Sequence, residues 1–389
     1  MTLLFPTPVL YDGNDDRFLQ RDGARFSQGL ERSGKHGIKI ILGNGKPSSI
    51  PKSPLLRAGT WDQWIDLAFW KSFGADGALC YFGLATKRFL PVIIAMKQAG
   101  LRLALKMDSA LGLNAFPRYF FTEFRRSYWF ARQTRDAFRS FLKAACRAFA
   151  PAVKMDSQRT IEYLETFDLI TAESPLACVN TIQWLHNHGR DNQCGKVVLL
   201  HHPVPDSYIP GESEKQNRVL AVAQDWSNPL KGGPILQDAV GSFLSRHPDW
   251  NATLIGKNSE RFGRLRSAFG DRITLLPALP AERLLPHYQE SKILCIASGS
   301  ESGPIVAFEA LACGCSIVYP PSIPQLEWTV RARIGSMAST RTPGGIAGAL
   351  EHECFLWNRV VNRVAMVATD LPPLRAQDCL NDLIRHLLR

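Results

Sequence analysis

Short apolar runs rich in Val, Ile and Leu alternate along this chain with helical stretches of roughly 10–15 residues, a pattern that leaves few folds open. In the first half the runs are residues 2–5, 38–42, 78–82, 101–106, 167–172 and 196–200. In the second half they are 218–223, 253–256, 272–276, 292–297, 316–319 and a weak 334–337. Runs with little polar alternation suit strands covered on both faces, hence parallel sheets with helices on either side. A chain of 389 residues is too long for one ordinary core and fits two domains. The expected architecture is therefore α/β, with two parallel-sheet domains over 1–205 and 218–370. A polar, turn-rich linker is expected at 206–217, and an amphipathic helix within 371–389. A single helix is expected over 61–73, and a loop over 43–60. No repeat and no low-complexity segment interrupts this order.

Composition narrows the function classes. Hydrophobic residues make up 45% and charged residues 21%, as in globular proteins. Nine cysteines are scattered, with no CxxC pair and no His/Cys cluster at zinc spacing, so reduced thiols and no metal site are expected. The N-terminus lacks a basic segment followed by a long apolar one, and no apolar run reaches the ~20 residues of a membrane span. The expected location is the cytoplasm. A net charge of +11 and a pI near 9.3 call for anionic partners: nucleotide diphosphates, anionic lipid or nucleic acid.

One stretch concentrates chemistry: Ser298, Gly299, Ser300, Glu301, Ser302, Gly303, Pro304, Ile305, Val306, then Glu309 and Ala310-Leu-Ala-Cys-Gly-Cys315. It reads as strand, tight polar loop and helix, with Pro304 at the helix start and Gly314 at its stop. First-turn amides of such a helix carry partial positive charge, and small loop residues let an anion approach the backbone. Glu301 and Glu309 add two acceptors suited to sugar hydroxyls. The bland alternative is a strand–loop–helix with two solvated glutamates.

These residues resemble the donor-site signature of retaining GT-B glycosyltransferases of family 4 (glycosyl transferases group 1) type. The resemblance implies two Rossmann-like domains facing a central cleft. It implies that Glu309 holds the ribose of a nucleotide diphosphate sugar and that Glu301 contacts and orients the transferred sugar. The segment Asp225-Trp-Ser-Asn-Pro-Leu-Lys231-Gly232-Gly-Pro resembles the family's Lys-Gly loop. Lys231 and Gly232 would then meet the diphosphate, together with Ser302 and the amides from Gly303 through Pro304 and Ile305 to Val306. Contacts to the base are expected from backbone near Pro277 to Leu279. The family commonly carries an arginine about six residues before the lysine, where this chain has Asp225. No cofactor is implied beyond the nucleotide-sugar substrate.

On the acceptor side the resemblance points to Gly13, in the loop after the first strand, and to Asp108, after the strand ending in Met107. Each also has an ordinary reading, as a surface turn and a helix cap. His201 and His202, where the family usually has Pro-Asn-Gly or similar, read as hinge residues. Residues 117–154 form a basic aromatic insert; from Arg118 to Lys154 there are nine Lys/Arg, two acidic residues and ten aromatics. Arg125, Arg126, Trp129 and Arg132 suit the interface of an anionic bilayer, and a solvated basic helix face fits the same residues. Single-stranded nucleic acid fits less well. The expected function is transfer of a hexose, with retention and without metal, to a saccharide or lipid-linked hydroxyl acceptor in cell-surface polysaccharide, lipopolysaccharide or glycolipid synthesis. The protein would then work peripherally on the inner face of the plasma membrane. The alternatives are a non-catalytic basic membrane- or nucleic-acid-binding protein on a GT-B scaffold, and a sugar-nucleotide epimerase.

Overall fold

A computed structural model of the chain describes residues 1–10, 15, 22–43, 51–82, 88–107, 152–299, 301, 303–323, 326, 334–360, 363–369 and 376–388. The chain divides into two compact units, Met1–Pro203 with Pro373–Arg389, and Val204–Pro372. Each is built on one parallel sheet with helices on its faces, two Rossmann-like α/β domains.

The first sheet comprises β1 (Thr2–Leu10), β2 (His36–Leu42), β3 (Leu56–Gly59), β4 (Gly77–Cys80), β5 (Arg102–Met107), β6 (Leu169–Ala172) and β7 (Val197–Leu199). Its order is β3-β2-β1-β4-β5-β6-β7. The second comprises β8 (Gln216–Asp225), β9 (Asn251–Lys257), β10 (Ile273–Leu276), β11 (Ser291–Cys295), β12 (Ser316–Tyr319) and β13 (Gly335–Met337), in the order β10-β9-β8-β11-β12-β13. Every residue of β4, β6 and β12 is buried, which only a sheet covered on both faces allows. In both sheets the chain works outward from the first strand to one side, then returns and continues on the other. The reversals fall between β1 and β4, and between β8 and β11. At such a switch point neighbouring loops diverge and leave a crevice at the strands' carboxyl ends, where open α/β sheets bind ligands.

One core of the first unit packs Trp64, Trp70, Val92, Met96 and Phe167 around Leu103 and Ile170. A second joins Leu3, Phe5, Phe26 and Leu30 to Cys379, Leu380, Leu383 and Leu387 of the C-terminal helix Ala376–Leu387. That helix therefore covers one face of the first sheet. The second unit has a large core containing Trp226, Leu236, Phe243, Trp250, Leu254 and Ile346.

Four local expectations change. The first strand runs to Leu10 rather than stopping at Phe5. Pro6 and Pro8 lack an N–H, but carbonyls still accept, as Pro6 does from Tyr81 N–H at 2.9 Å. The expected helix 61–73 is two short helices, Trp61–Trp64 and Leu67–Lys71, because the Asp66 carboxylate accepts Ala68 N–H at 2.9 Å and caps a new start. The expected loop at 43–60 contains β3. The expected linker at 206–217 is packed on the second unit: Tyr208 is buried beside Tyr288, and Lys215 donates to the carbonyls of Tyr288, Gln289 and Ser291 at 2.8–3.0 Å.

Among the described residues no helix is long and apolar enough to cross a membrane.

Candidate functional site

The carboxyl ends of β8 and β11, at the switch point of the second sheet, carry the two loops that the sequence singled out. After β8 the chain enters an Asx turn. Asp225 accepts Ser227 N–H at 2.8 Å and the Asn258 amide at 2.7 Å. Those bonds, from the side chains of Ser227 and Asn258 and then the Ser227 N–H, hold its carboxyl below the ordinary range. Asp225 thus ties the end of β8 to the residue after β9, where Asn258 adopts a left-handed φ of 60°. Next, Asn228 caps the short turn Pro229–Lys231 by accepting Leu230 N–H at 3.0 Å.

Gly232 follows in the left-handed region, at φ 68°. A Cβ there would lie 2.2 Å from the Ala297 carbonyl oxygen, so only glycine fits. The loop after β8 consequently rests directly on the backbone of the loop after β11. Gly299 N–H closes the junction by donating to the Leu230 carbonyl at 2.6 Å. Arg341, from the loop after β13, donates its Nε–H to the Ala297 carbonyl at 3.0 Å.

This packing brings Lys231 Nζ to 2.7 Å from Glu301 Oε1. The two side chains are 27% and 16% exposed. Beyond Glu301 and Gly303 the helix Ile305–Ala312 starts, with Pro304 at its N-cap. It starts one residue later and stops one residue earlier than 304–313. Pro304 has no N–H, which corrects the expectation that it supplies an amide; the first-turn donors are those of Ile305 and Val306. Glu309 lies more than a turn further in and is 4% exposed. Its Oε2 accepts the Tyr288 hydroxyl at 3.0 Å, from the helix Ala281–Glu290. Burial first, and then the Glu309 charge, push the Tyr288 hydroxyl well above its ordinary pKa, so it stays a proton donor. Neither glutamate is the solvated surface residue of the bland reading.

The structure thus gathers Lys231, Gly232, Glu301, Gly303, Pro304, Ile305, Val306 and Glu309 on adjoining loops and one helix start. Pro277 to Leu279 form the partly exposed loop after β10. Ser302, Gly13, Asp108, Arg125, Arg126, Trp129 and Arg132 lie outside the described residues, as does most of the 117–154 insert. Tyr288 and Arg341 were not anticipated. Their partners are distant in sequence, and neither belongs to a recognisable motif.

A separate buried polar cluster occupies the carboxyl ends of β5, β6 and β7 in the first unit. Glu173 accepts from Lys106 Nζ, and its Oε1 lies 2.9 Å from His202 Nε2. The Lys106 ammonium also sits over the Tyr81 ring, 5.5 Å from its centre. His201 is buried beside them, and burial, aided by the neighbouring His202, pushes its pKa down to about 4. The two histidines are buried, and they stand directly before the boundary between the two units at Pro203 and Val204, as expected of hinge-region residues. Among the described residues no group of three His, Cys, Asp or Glu is arranged to hold a metal ion.

Residues 208–333, which contain the whole site apart from Arg341, match the family of glycosyl transferases group 1. D-inositol 3-phosphate glycosyltransferase of Acidothermus cellulolyticus is 30% identical over 165 residues, which are 37% of this chain and 37% of that protein. The same enzyme of Geodermatophilus obscurus is 28% identical over 167 residues, again 37% of each chain. The similarity therefore spans little more than a third of these relatives. Solved structures resemble the whole fold. A glycosyltransferase from Rickettsia africae aligns with a TM-score of 0.63 at 14% identity, over 99% of this chain and 97% of that one. The Anabaena protein Alr3699/HepE, in complex with UDP and glucose, aligns with a TM-score of 0.61 at 13% identity over all of both chains. The two-domain architecture is that of GT-B glycosyltransferase structures.

Proposed function

We propose that the second unit binds a nucleotide diphosphate sugar and that the protein transfers its hexose to a hydroxyl acceptor. The observation that carries this reading is the Lys231–Glu301 pair at a switch point, beside the start of the helix that bears a buried Glu309. Buried acceptors with fixed geometry suit hydroxyls, and a half-buried ammonium suits phosphate. In the sugar-free protein Lys231 and Glu301 neutralise one another. A bound diphosphate takes over the ammonium and releases a Glu301 oxygen to orient the sugar hydroxyls. Glu309, steadied by Tyr288, accepts from the ribose. As the glycosidic bond to the diphosphate breaks, negative charge grows on the leaving oxygen. Lys231 and the N–H groups of Gly303, Ile305 and Val306, at the positive end of the helix dipole, stabilise it. The leaving group assists attack by the acceptor on the same face, which gives retention, family 4 chemistry, without a metal or other cofactor. The match to glycosyl transferases group 1 supports the reading.

The acceptor is proposed to be a saccharide or lipid-linked hydroxyl in cell-surface polysaccharide, lipopolysaccharide or glycolipid synthesis. Gly13 and Asp108 are proposed to face it. The protein is proposed to work in the cytoplasm, with the 117–154 insert against the anionic inner face of the plasma membrane. Release of nucleoside diphosphate from UDP-, GDP- and ADP-sugars, with and without a membrane extract as acceptor, tests the catalytic reading. Extract-stimulated release from one donor is expected, falling at least 100-fold in Lys231→Ala and Glu301→Gln. Release from none of them contradicts it and favours a non-catalytic scaffold. Conversion of the sugar while it stays attached to its nucleotide favours an epimerase.

A further inference from the structure

A lysine in a polar, turn-rich stretch ordinarily faces solvent. Lys215 is 5% exposed. It ends a segment that follows the boundary between the two units and braces the helix Ala281–Glu290 at both ends. At the start, the Tyr208 hydroxyl donates to the Ala281 carbonyl at 3.0 Å. At the finish, the Gln289 amide donates to the Ile209 carbonyl at 3.0 Å. Lys215 donates to the carbonyls of Tyr288, Gln289 and Ser291, one for each N–H of its ammonium. This helix needs outside support. Pro286 stands inside it and brings no N–H to the ladder, which weakens the hold on the last turn. Carbonyls of a last turn lack partners within the helix, and a cation there also meets the negative end of the helix dipole.

Tyr288 belongs to that last turn. Its ring stands 5.9 Å from the Tyr208 ring, and its hydroxyl donates to Glu309 Oε2 at 3.0 Å. Glu309 lies on the helix Ile305–Ala312, which stops before Gly314 at φ 75°. The stem of the same lysine passes that stop: a Cβ on Gly314 would stand 3.5 Å from Lys215 Cε. Lys215 therefore sits at the ends of both helices whose side chains meet at Glu309. Without its ammonium, three carbonyls would lose their donor and the turn that carries Tyr288 could shift. We propose that Lys215 is a positioning residue for ribose recognition: it fixes the last turn of Ala281–Glu290 and, through Tyr288, the carboxylate that accepts the ribose hydroxyls. This inference rests on the proposed nucleotide-sugar site and adds what makes that site selective for a ribose over a sugar without those hydroxyls.

Titration calorimetry on the full chain tests it, with UDP, GDP and ADP and their 2′,3′-dideoxy forms as probes. Melting of each variant without nucleotide establishes that it is folded. For the nucleotide that wild type binds, the ribose form is expected to bind at least tenfold more tightly than the dideoxy form. Lys215→Met keeps the stem and removes the three donors; it should weaken the ribose form at least fivefold and the dideoxy form less than twofold. Tyr288→Phe should lower the same preference, and the double variant should lower it no further than the larger single effect, because the two residues act in series. Should Lys215→Met not fold, Lys215→Arg keeps the charge, but its planar fork does not match three carbonyls set around an ammonium, and it is expected to lower the preference at least threefold. Equal weakening of both forms, or weakening of neither, would make Lys215 a brace of the fold only. Additive losses in the double variant would mean that it does not act through Tyr288. Either result overturns the inference, and so does a wild type that binds both forms equally, which leaves the nucleotide site standing. If wild type binds no diphosphate, the nucleotide-sugar reading itself fails and the inference falls with it.

Discussion

Glu309 and Tyr288 illustrate how a buried carboxylate is satisfied inside a domain. A carboxylate 4% exposed would cost several kcal/mol if nothing satisfied it. The Tyr288 hydroxyl satisfies one oxygen at 3.0 Å and fixes the rotamer. Tyr288→Phe should therefore lower stability by about 1–2 kcal/mol in urea denaturation, since a buried acceptor loses its donor. It should also weaken nucleotide binding several-fold by loosening Glu309; unchanged affinity would mean that Tyr288 does not position Glu309. At this scale much was legible. Lys231, Glu301 and Glu309 were readable because their spacing and small-residue context are local. Tyr288 and Arg341 were not, because their roles depend on residues 21 and 44 positions away.

Elements explain why residues that look out of place are tolerated. Asp225 would repel the proposed phosphate, yet it organises the loop after β8 by accepting Ser227 N–H and pinning Asn258. Restoring the familiar residue with Asp225→Arg should lower the melting temperature by about 2–4 °C, for loss of roughly 1 kcal/mol in a domain of this size, and should not raise activity. A gain in activity would show that Asp225 holds the site short of a cation. In the first unit, the strand-end cluster buries His201 as the neutral form. Its folded pKa of about 4 lies below the unfolded value of 6.5, so the unfolded chain takes up the proton first. This contribution is complete above pH 6.5 and is lost as pH falls toward 4, the loss reaching about 2.5 kcal/mol at pH 4.5. Urea denaturation at pH 7 and 4.5 should show the decline, and His201→Gln should flatten it. Strand existence was legible from apolar runs. The break at Asp66, the extension of β1 through two prolines and the four-residue β3 were not, because single hydrogen bonds and edge pairing decide them.

At the scale of the whole molecule, the two sheets share a topology. In the second, the switch point between β8 and β11 gathers the residues proposed to bind the donor. In the first, the basic aromatic insert follows β5. The surplus of positive charge, +11 in all, suits the anionic substrate and the anionic lipid surface proposed for it. Vesicles containing phosphatidylglycerol should therefore sediment the protein at low salt, and 0.5 M salt should release it. Failure to sediment would remove the membrane from the proposal without touching the donor site. The central claim, that the second unit is a nucleotide-sugar site, is tested most directly by titrating UDP-, GDP- and ADP-sugars into wild type and Glu309→Ala. One nucleotide class should bind wild type saturably and at least tenfold more tightly than Glu309→Ala. Binding by none of the three, or equal binding to both proteins, would contradict it.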